Sequence, residues 1–424
     1  MIEIIGSAIA RRIACRASGY GERVTSGIEG CQAAIESLGS VQIDTISVVE
    51  RAHHHVLWSR VDDYDRGHIL SLERAPRRVI EYWSHAAAYL PLKDYRFCLP
   101  RMRRVKELGY HWFRADPDAI DFVRSRISAE GPLRAQDFQE AMEGPRGWWD
   151  WKPAKVALEY LFHRGDLVSI ERRGFQKVYD LAERALPPDV NLEFPTPRDH
   201  AAYYVDMAIS SLGIFSRDEI AYMRKEGTES IDAELAARLE EGSLVSVGIE
   251  GEAGTRKGEK GSRRQRFATP AALVDAERTV SERIPRAAIL SPFDPLIIDR
   301  RRTKRLFALD YQLECYVQEK KRAFGYFALP ILFADGLEQY SFVGLLDAKA
   351  DRGRKLLCAR RLALSPPKAA ARSPAAFAKA IAGELREYAS FNGAERVEIE
   401  RVDCGARMEA SLRAALAREL RGLV

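Results

Sequence analysis

From Asp118 to Leu186 the spacing of the apolar residues changes in an order that few folds accommodate. Ile120, Val123 and Ile127 lie three and four apart, as on one face of a helix, and Gly131-Pro132 ends that run. A short helix is predicted around Arg134 to Met142. Trp151-Lys152-Pro153 opens a third helix, with proline in the first turn, where its missing N–H does no harm. Val156, Tyr160 and Leu161 form the apolar face of this helix; Lys152, Lys155, Glu159 and His163 face elsewhere, and Gly165 closes it. Leu167–Ile170, a turn at Arg172-Arg173-Gly174 and Lys177–Asp180 then read as a hairpin with a basic tip. Three helices followed by such a hairpin make a winged helix, whose third helix is the usual reader of the DNA major groove.

The pattern returns after a proline-rich linker, Leu186 to Pro197. Helices are predicted around Tyr204 to Leu212, Ser216 to Arg224 and Asp232 to Glu240, then a strand from Leu244 to Ile249. Gly251 to Arg266 is glycine-rich and basic, an unusually long wing, and leads into Arg266-Phe267-Ala268. Upstream, Ile9 and Ile13 mark a first helix and Ile28 to Leu38 a second, with Gly39 where a C′ glycine belongs. Val41-Gln42-Ile43-Asp44-Thr45 alternates like a short strand, and a further helix is expected from Ile69 through Leu72 and Val79 toward Tyr82-Trp83. Past Ala287, Leu306–Leu309, Ala323–Leu332, Ser341–Leu346 and Lys355–Ala359 read as strands, and Pro374–Ser390 and Ala406–Leu420 as helices. The expected fold is therefore α+β: three tandem winged-helix modules (1–100, 101–186 and 198–280) followed by a β-rich α+β domain, 287–424.

A hydrophobic content of 46% with 30% charge belongs to a globular chain rather than a disordered one. No run of about eighteen apolar residues is present, and Met1-Ile2-Glu3 does not begin a secretory signal. The six cysteines lack metal-ligand spacing, so free thiols, a reducing cytoplasm and no structural metal or cofactor are expected. Net charge is only +5, but arginines cluster at 101–104, 172–173, 256–257, 263–266 and 300–302. Their planar forks suit phosphate, although any one cluster could equally be a solvated face. DNA contacts are expected from Lys152 and Lys155 on the third helix, Arg172 and Arg173 at the hairpin tip, and Arg256, Lys257, Arg263 and Arg264 on the long wing.

Four segments carry a resemblance: Val41–Val49 with Arg51-Ala52-His53-His54-His55, Glu81-Tyr82-Trp83-Ser84-His85-Ala86, Leu290–Leu296, and Gly344–Arg352. In this order they resemble the AlkZ-like DNA glycosylase superfamily, specifically its YcaQ-type (AlkX) branch, over nearly the whole chain. The resemblance implies three winged-helix modules in a C-shaped arrangement plus a C-terminal β-rich domain. It also implies excision of alkylated bases, unhooking of nitrogen-mustard interstrand crosslinks, and a Gln-x-Asp catalytic pattern matched by Gln42 and Asp44. The chain departs from the family in having Ile298 where tryptophan is common and Ala348 where proline is common, both far from the motif in sequence.

Residues two apart share a side in a strand but lie about 200° apart on a helix, so Gln42 and Asp44 converge only if the segment is extended. An alkylated purine already carries positive charge and leaves readily. The remaining work is to stabilise an oxocarbenium-like sugar and to direct water to its anomeric carbon. Asp44 suits stabilisation and proton acceptance, Gln42 the holding of water. Spacing alone favours a plain polar strand face with an Asx-type turn. His53, His55, Tyr82, Trp83 and His85 are candidate lesion-pocket residues, though aromatics beside an apolar run also suit a core. Consecutive histidines diverge on any regular element, so no metal is assigned to 53–55. The partner expected is double-stranded DNA with alkylated bases or crosslinks, bound by a monomer away from any membrane. The alternative function is a winged-helix transcriptional regulator; a nuclease would need a carboxylate cluster that is not evident.

Overall fold

The computed structural model describes residues 3–21, 26–74, 76–109, 116–138, 152–224, 227–252, 265–278, 284–367, 373–404 and 406–420. They form a mixed α+β chain with three sheets. The first sheet has strand order Val41–Gln42, Ala87–Pro91, Val79–Trp83, Leu167–Arg173, Gln176–Leu181, Leu133–Arg134. Two hairpins far apart in sequence are thus joined into one sheet, through Glu81 opposite Ser169. In the second sheet Glu3–Ile5 pairs in parallel with Val245–Ile249, followed by Arg266–Ala268 and Ile214–Ser216. The third runs Arg286–Ile289, Leu329–Ala334, Tyr340–Asp351, Leu356–Leu364 and Arg396–Ile399, with Val402–Asp403 also pairing to Leu356–Leu364. Helices Pro374–Phe391 and Ala406–Glu419 complete that region.

Most predicted helices form near their expected places, among them Gly27–Leu38, Pro117–Glu130, Lys152–Arg164, Pro197–Leu212 and Ile231–Glu240. Gly39 takes a left-handed φ of 69° at the end of the first of these, as a C′ glycine should. Four expectations need correction. Ala323–Leu332 is a strand only from Leu329, because Ala323, Phe324 and Gly325 give their N–H groups to the Glu314 carboxylate rather than to a neighbouring strand. The helix expected to reach Trp83 spans only Gly67–Glu73; Arg74 turns extended, and Val79–Trp83 is a strand. Its β-branched and aromatic residues suit a pleated sheet buried on both sides better than a helix. Leu306 and Phe307, expected in a strand, end the helix Arg300–Phe307. Asp299 starts that helix by accepting from the N–H groups of Arg301 and Arg302 at 3.0 and 3.1 Å, and Ala308 stops it in the left-handed region. The helix expected over Ser216 to Arg224 is a short Arg217–Ile220.

The first helix, Ser7–Cys15, buries Ala10, Ile13 and Ala14 in a core shared with Val247, Leu273, Leu296 and Leu306. Small residues on that face let the helix approach closely. An ion pair locks the arrangement. Arg60 reaches Asp294 in a two-pronged contact, Nη1–Oδ2 2.7 Å and Nη2–Oδ1 2.9 Å, with both side chains buried. The Tyr20 hydroxyl donates to the same carboxylate at 2.7 Å, and Arg60 Nε donates to the Ser18 carbonyl at 2.7 Å. Asp294 also caps the short helix Pro295–Ile298 by accepting from the N–H of Leu296. Removing one member strands a buried charge, which typically costs roughly 3–5 kcal/mol. Asp294→Ala and Arg60→Ala are each expected to lower unfolding stability by that order in urea titrations, and the double variant by less than the sum.

Burial pushes the pKa values of His54, His55, His85 and His163 down to about 4, so these rings fold neutral. The unfolded chain takes up the same protons near pH 6.5. Their contribution is therefore fully present above about pH 6.5 and is lost as pH falls toward 4. The urea midpoint should drop measurably between pH 7 and pH 5; a flat midpoint would contradict buried neutral rings.

Candidate active site at Gln42 and Asp44

Strand Val41–Gln42 pairs with Ala87–Pro91, Gln42 opposite Ala88, and the Ile43 N–H donates to the Ala87 carbonyl at 2.8 Å. This keeps the backbone extended as far as Ile43 and sets Gln42 and Asp44 on one side. Gln42 Nε2 lies 3.5 Å from Asp44 Oδ2. The other carboxylate oxygen, Oδ1, accepts from the Ile46 N–H at 2.7 Å, an Asx turn that ends the strand and holds the carboxylate half-buried. The turn and the convergence occur together; they were not alternatives.

The third member comes from the hairpin tip between Val79–Trp83 and Ala87–Pro91. His85 Nε2 stands 3.0 Å from Gln42 Oε1. An amide oxygen only accepts, so His85 donates from Nε2 as the neutral tautomer. Burial, with the Arg224 guanidinium adding to it, holds the ring neutral down to about pH 4. The amide is thereby oriented: oxygen toward His85, N–H toward Asp44. The loop that follows is fixed from below. Arg352 donates to the Val49 carbonyl at 2.9 Å, Glu50 pairs with Arg66, and Ile46, Val48 and Val49 pack on the core of the C-terminal sheet.

His85 also borders a cavity of about 440 Å³. Its walls are Trp83, Phe97, Tyr203 and Tyr204, with Asp94, Arg101, Arg104 and Arg224 among them. Phe97 and Tyr203 stack at 4.0 Å, Arg224 lies over Tyr204 at 4.3 Å and Arg101 over Trp83 at 5.3 Å. Burial raises the Asp94 carboxyl to about 6. A cavity of this size, aromatic with a few polar groups, is of the kind that takes small organic ligands. Arg101 and Arg104 belong to a cluster visible in the sequence; Tyr203, Tyr204 and Arg224 gave no signal there, because they reach the site only through tertiary packing, that of helix Pro197–Leu212 on Gly27–Leu38 included.

Other expected site residues lie elsewhere. His53 is buried against Tyr89 and Phe175, and His55 is buried with its Nε2 donating to the Ile289 carbonyl at 2.8 Å and its ring against Tyr388. Tyr82 is buried too, its hydroxyl donating to the His163 carbonyl at 2.8 Å. These three are core residues: each is buried, with its ring against aromatic neighbours. Arg172, expected on DNA, instead grips the buried Glu81 through Nε at 2.8 Å and Nη2 at 2.7 Å and lies over Phe175. Arg266 is likewise buried between Glu219 and Glu252. Arg173 is exposed and pairs with Glu171. Lys155 is exposed on the third helix. Arg256, Lys257, Arg263, Arg264 and the side chain of Lys152 lie outside the described residues. Among the described residues no three His, Cys, Asp or Glu side chains gather to hold a metal ion, and no helix is long and apolar enough to cross a membrane.

A carboxylate in the turn after a short strand, next to an amide oriented by a histidine that lines an aromatic and arginine-rich cavity, fits a protein acting on a nucleobase. The chain belongs to the AlkZ-like DNA glycosylase family, whose model it matches over residues 35–391. Its fold is similar to that of Streptomyces sahachiroi DNA glycosylase AlkZ, with a TM-score of 0.59 and 14% identity, covering 95% of this chain and 100% of that one.

The two hairpin arginines separate by experiment. Arg172→Ala leaves the buried Glu81 with only the Ser169 hydroxyl at 3.3 Å and Lys177 at 3.9 Å, and a loss of about 3 kcal/mol in unfolding stability is expected. Arg173→Ala should change stability by no more than about 0.5 kcal/mol. Chemical denaturation of the two variants side by side checks the assignment.

Proposed function

We propose that this DNA glycosylase is of the YcaQ type and hydrolyses the N-glycosidic bond of cationic N-alkylated purines in duplex DNA, nitrogen-mustard interstrand crosslinks included. The observation that carries the reading is the hydrogen-bonded series His85, Gln42, Asp44. Asp44 supplies the carboxylate. A unit charge about 4 Å from a developing oxocarbenium contributes roughly 4 kcal/mol at an effective dielectric of about 20. As the sugar–nitrogen bond breaks, its electron pair passes to the purine and neutralises it. Water then bonds to the anomeric carbon and gives its proton to Asp44. Gln42, held by His85, positions Asp44 and keeps one N–H for the water. The chemistry needs no second carboxylate to protonate the leaving base. The tandem winged-helix reading places Lys155 and the side chains of Arg256, Lys257, Arg263 and Arg264 on the DNA. The chain would act alone, as a monofunctional enzyme without cofactor, leaving an intact abasic site.

The test compares the native chain with Asp44→Asn and Gln42→Ala on duplexes containing N7-methylguanine or a nitrogen-mustard crosslink, with alkali revealing abasic sites. Asp44→Asn should slow base release by roughly 10²–10³-fold and leave the Kd for undamaged duplex unchanged. Tight binding to one operator sequence with no base release from either protein would favour a transcriptional regulator instead.

A further inference from the structure

The longest irregular stretch of the C-terminal region, residues 308–328, lies between helix Arg300–Phe307 and strand Leu329–Ala334. It is not loosely held. The buried Glu314 carboxylate accepts three successive backbone N–H groups, from Ala323 at 2.7 Å, Phe324 at 2.8 Å and Gly325 at 2.9 Å. Gly325 permits the close approach of Asp347, whose Oδ2 would stand 2.5 Å from any added Cβ. Arg361 donates to the Ala323 carbonyl at 3.0 Å, and Arg322 to the Val317 carbonyl at 2.9 Å. A cage of this kind fixes the loop before any ligand arrives.

What the cage presents is Tyr316, 82% exposed, at the end of the turn Glu314–Tyr316. Lys320 and Lys321 are exposed beside it, and Arg322 lies over the ring of the partly exposed Tyr326 at 4.9 Å. Leu313, at the base of the loop, packs on the same core as Ile46 and Val48, which flank the Asp44 turn. The Tyr316 phenol is raised by partial desolvation, then by Cys315 and by the charge of Asp44, as expected if the loop end and the carboxylate are neighbours. An exposed tyrosine by itself is ordinary. One held rigidly, flanked by cations and set beside a candidate catalytic carboxylate fits a nucleic acid, whose bases stack on aromatic faces and whose phosphates take the cations.

We propose that Tyr316 is a positioning residue that stacks on a base at or next to the damaged nucleotide, with Lys320 and Lys321 on the neighbouring phosphates. The assignment rests on the glycosylase reading for its substrate but is tested by binding alone. The probe is a duplex carrying a tetrahydrofuran abasic site beside 2-aminopurine, titrated with the full chain and followed by anisotropy and by 2-aminopurine fluorescence. Tyr316→Ala is expected to weaken binding roughly 5- to 150-fold and to remove the fluorescence change. Tyr316→Phe, which keeps the ring, should retain both. Replacing Lys320 and Lys321 together by Ala should lower the slope of log Kd against log salt by about 2. Thermal melting of each variant at the native midpoint establishes that the exposed substitutions leave the fold intact. Unchanged affinity and fluorescence in Tyr316→Ala would overturn the proposal. Tyr316-dependent fluorescence from a native chain that releases no base would sink the catalytic reading and keep this one.

Discussion

Arg60 and Asp294 meet in the interior, and much of the remaining structure is arranged around that contact. Two buried ions are tolerated only when geometry and extra hydrogen bonds offset their desolvation. Here the offset comes from three separate parts of the chain: the Ser18 carbonyl and Tyr20 hydroxyl, the Val56 carbonyl, and the Leu296 N–H. Satisfying the pair therefore requires the N-terminal segment, the helix Ala52–Trp58 and the Leu290–Leu296 turn to be in one place. Ser291-Pro292-Phe293-Asp294-Pro295 is distinctive for this reason, since its aspartate serves an ion pair and a helix cap together. The C-terminal region is thereby brought under the Asp44 loop, where Arg352 and Leu313 support it.

The site is assembled in the same additive way. A short strand orients Gln42, an Asx turn orients Asp44, and a hairpin tip from the neighbouring strand supplies His85. None of these elements is long. Their precision comes from sheet pairing and from an amide whose donor and acceptor are each engaged. Keeping His85 neutral matters to this arrangement, because the bond to Gln42 fixes a single tautomer and adds no imidazolium charge beside the amide. Family membership places the chain among DNA glycosylases, and the likeness to Streptomyces sahachiroi AlkZ extends over the fold at an identity of only 14%.

The helices were legible because apolar spacing, proline at the first turn and glycine at the end are local signals. Gln42 and Asp44 were singled out by the resemblance of the segment around them; alternation added only that they share a side if the segment is extended. Val79–Trp83 was misread because a helix ran just before it, and the burial of Val79, Ile80, Glu81 and Tyr82 in succession leaves no alternation. The end of helix Arg300–Phe307 was misread because four apolar residues in a row carry no period.

The sequence by itself determined the order of helices and hairpins, the extended Gln-x-Asp segment and the surplus of arginine. Only the tertiary structure decided which arginines are already spoken for. Arg60, Arg172 and Arg266 are committed to buried carboxylates, and Arg173 pairs at the surface. It also brought His85 to Gln42 and set the Tyr316 loop beside the Asp44 turn. An ion pair or a hydrogen bond depends on a few ångströms between residues distant in the chain, and no local pattern encodes that distance.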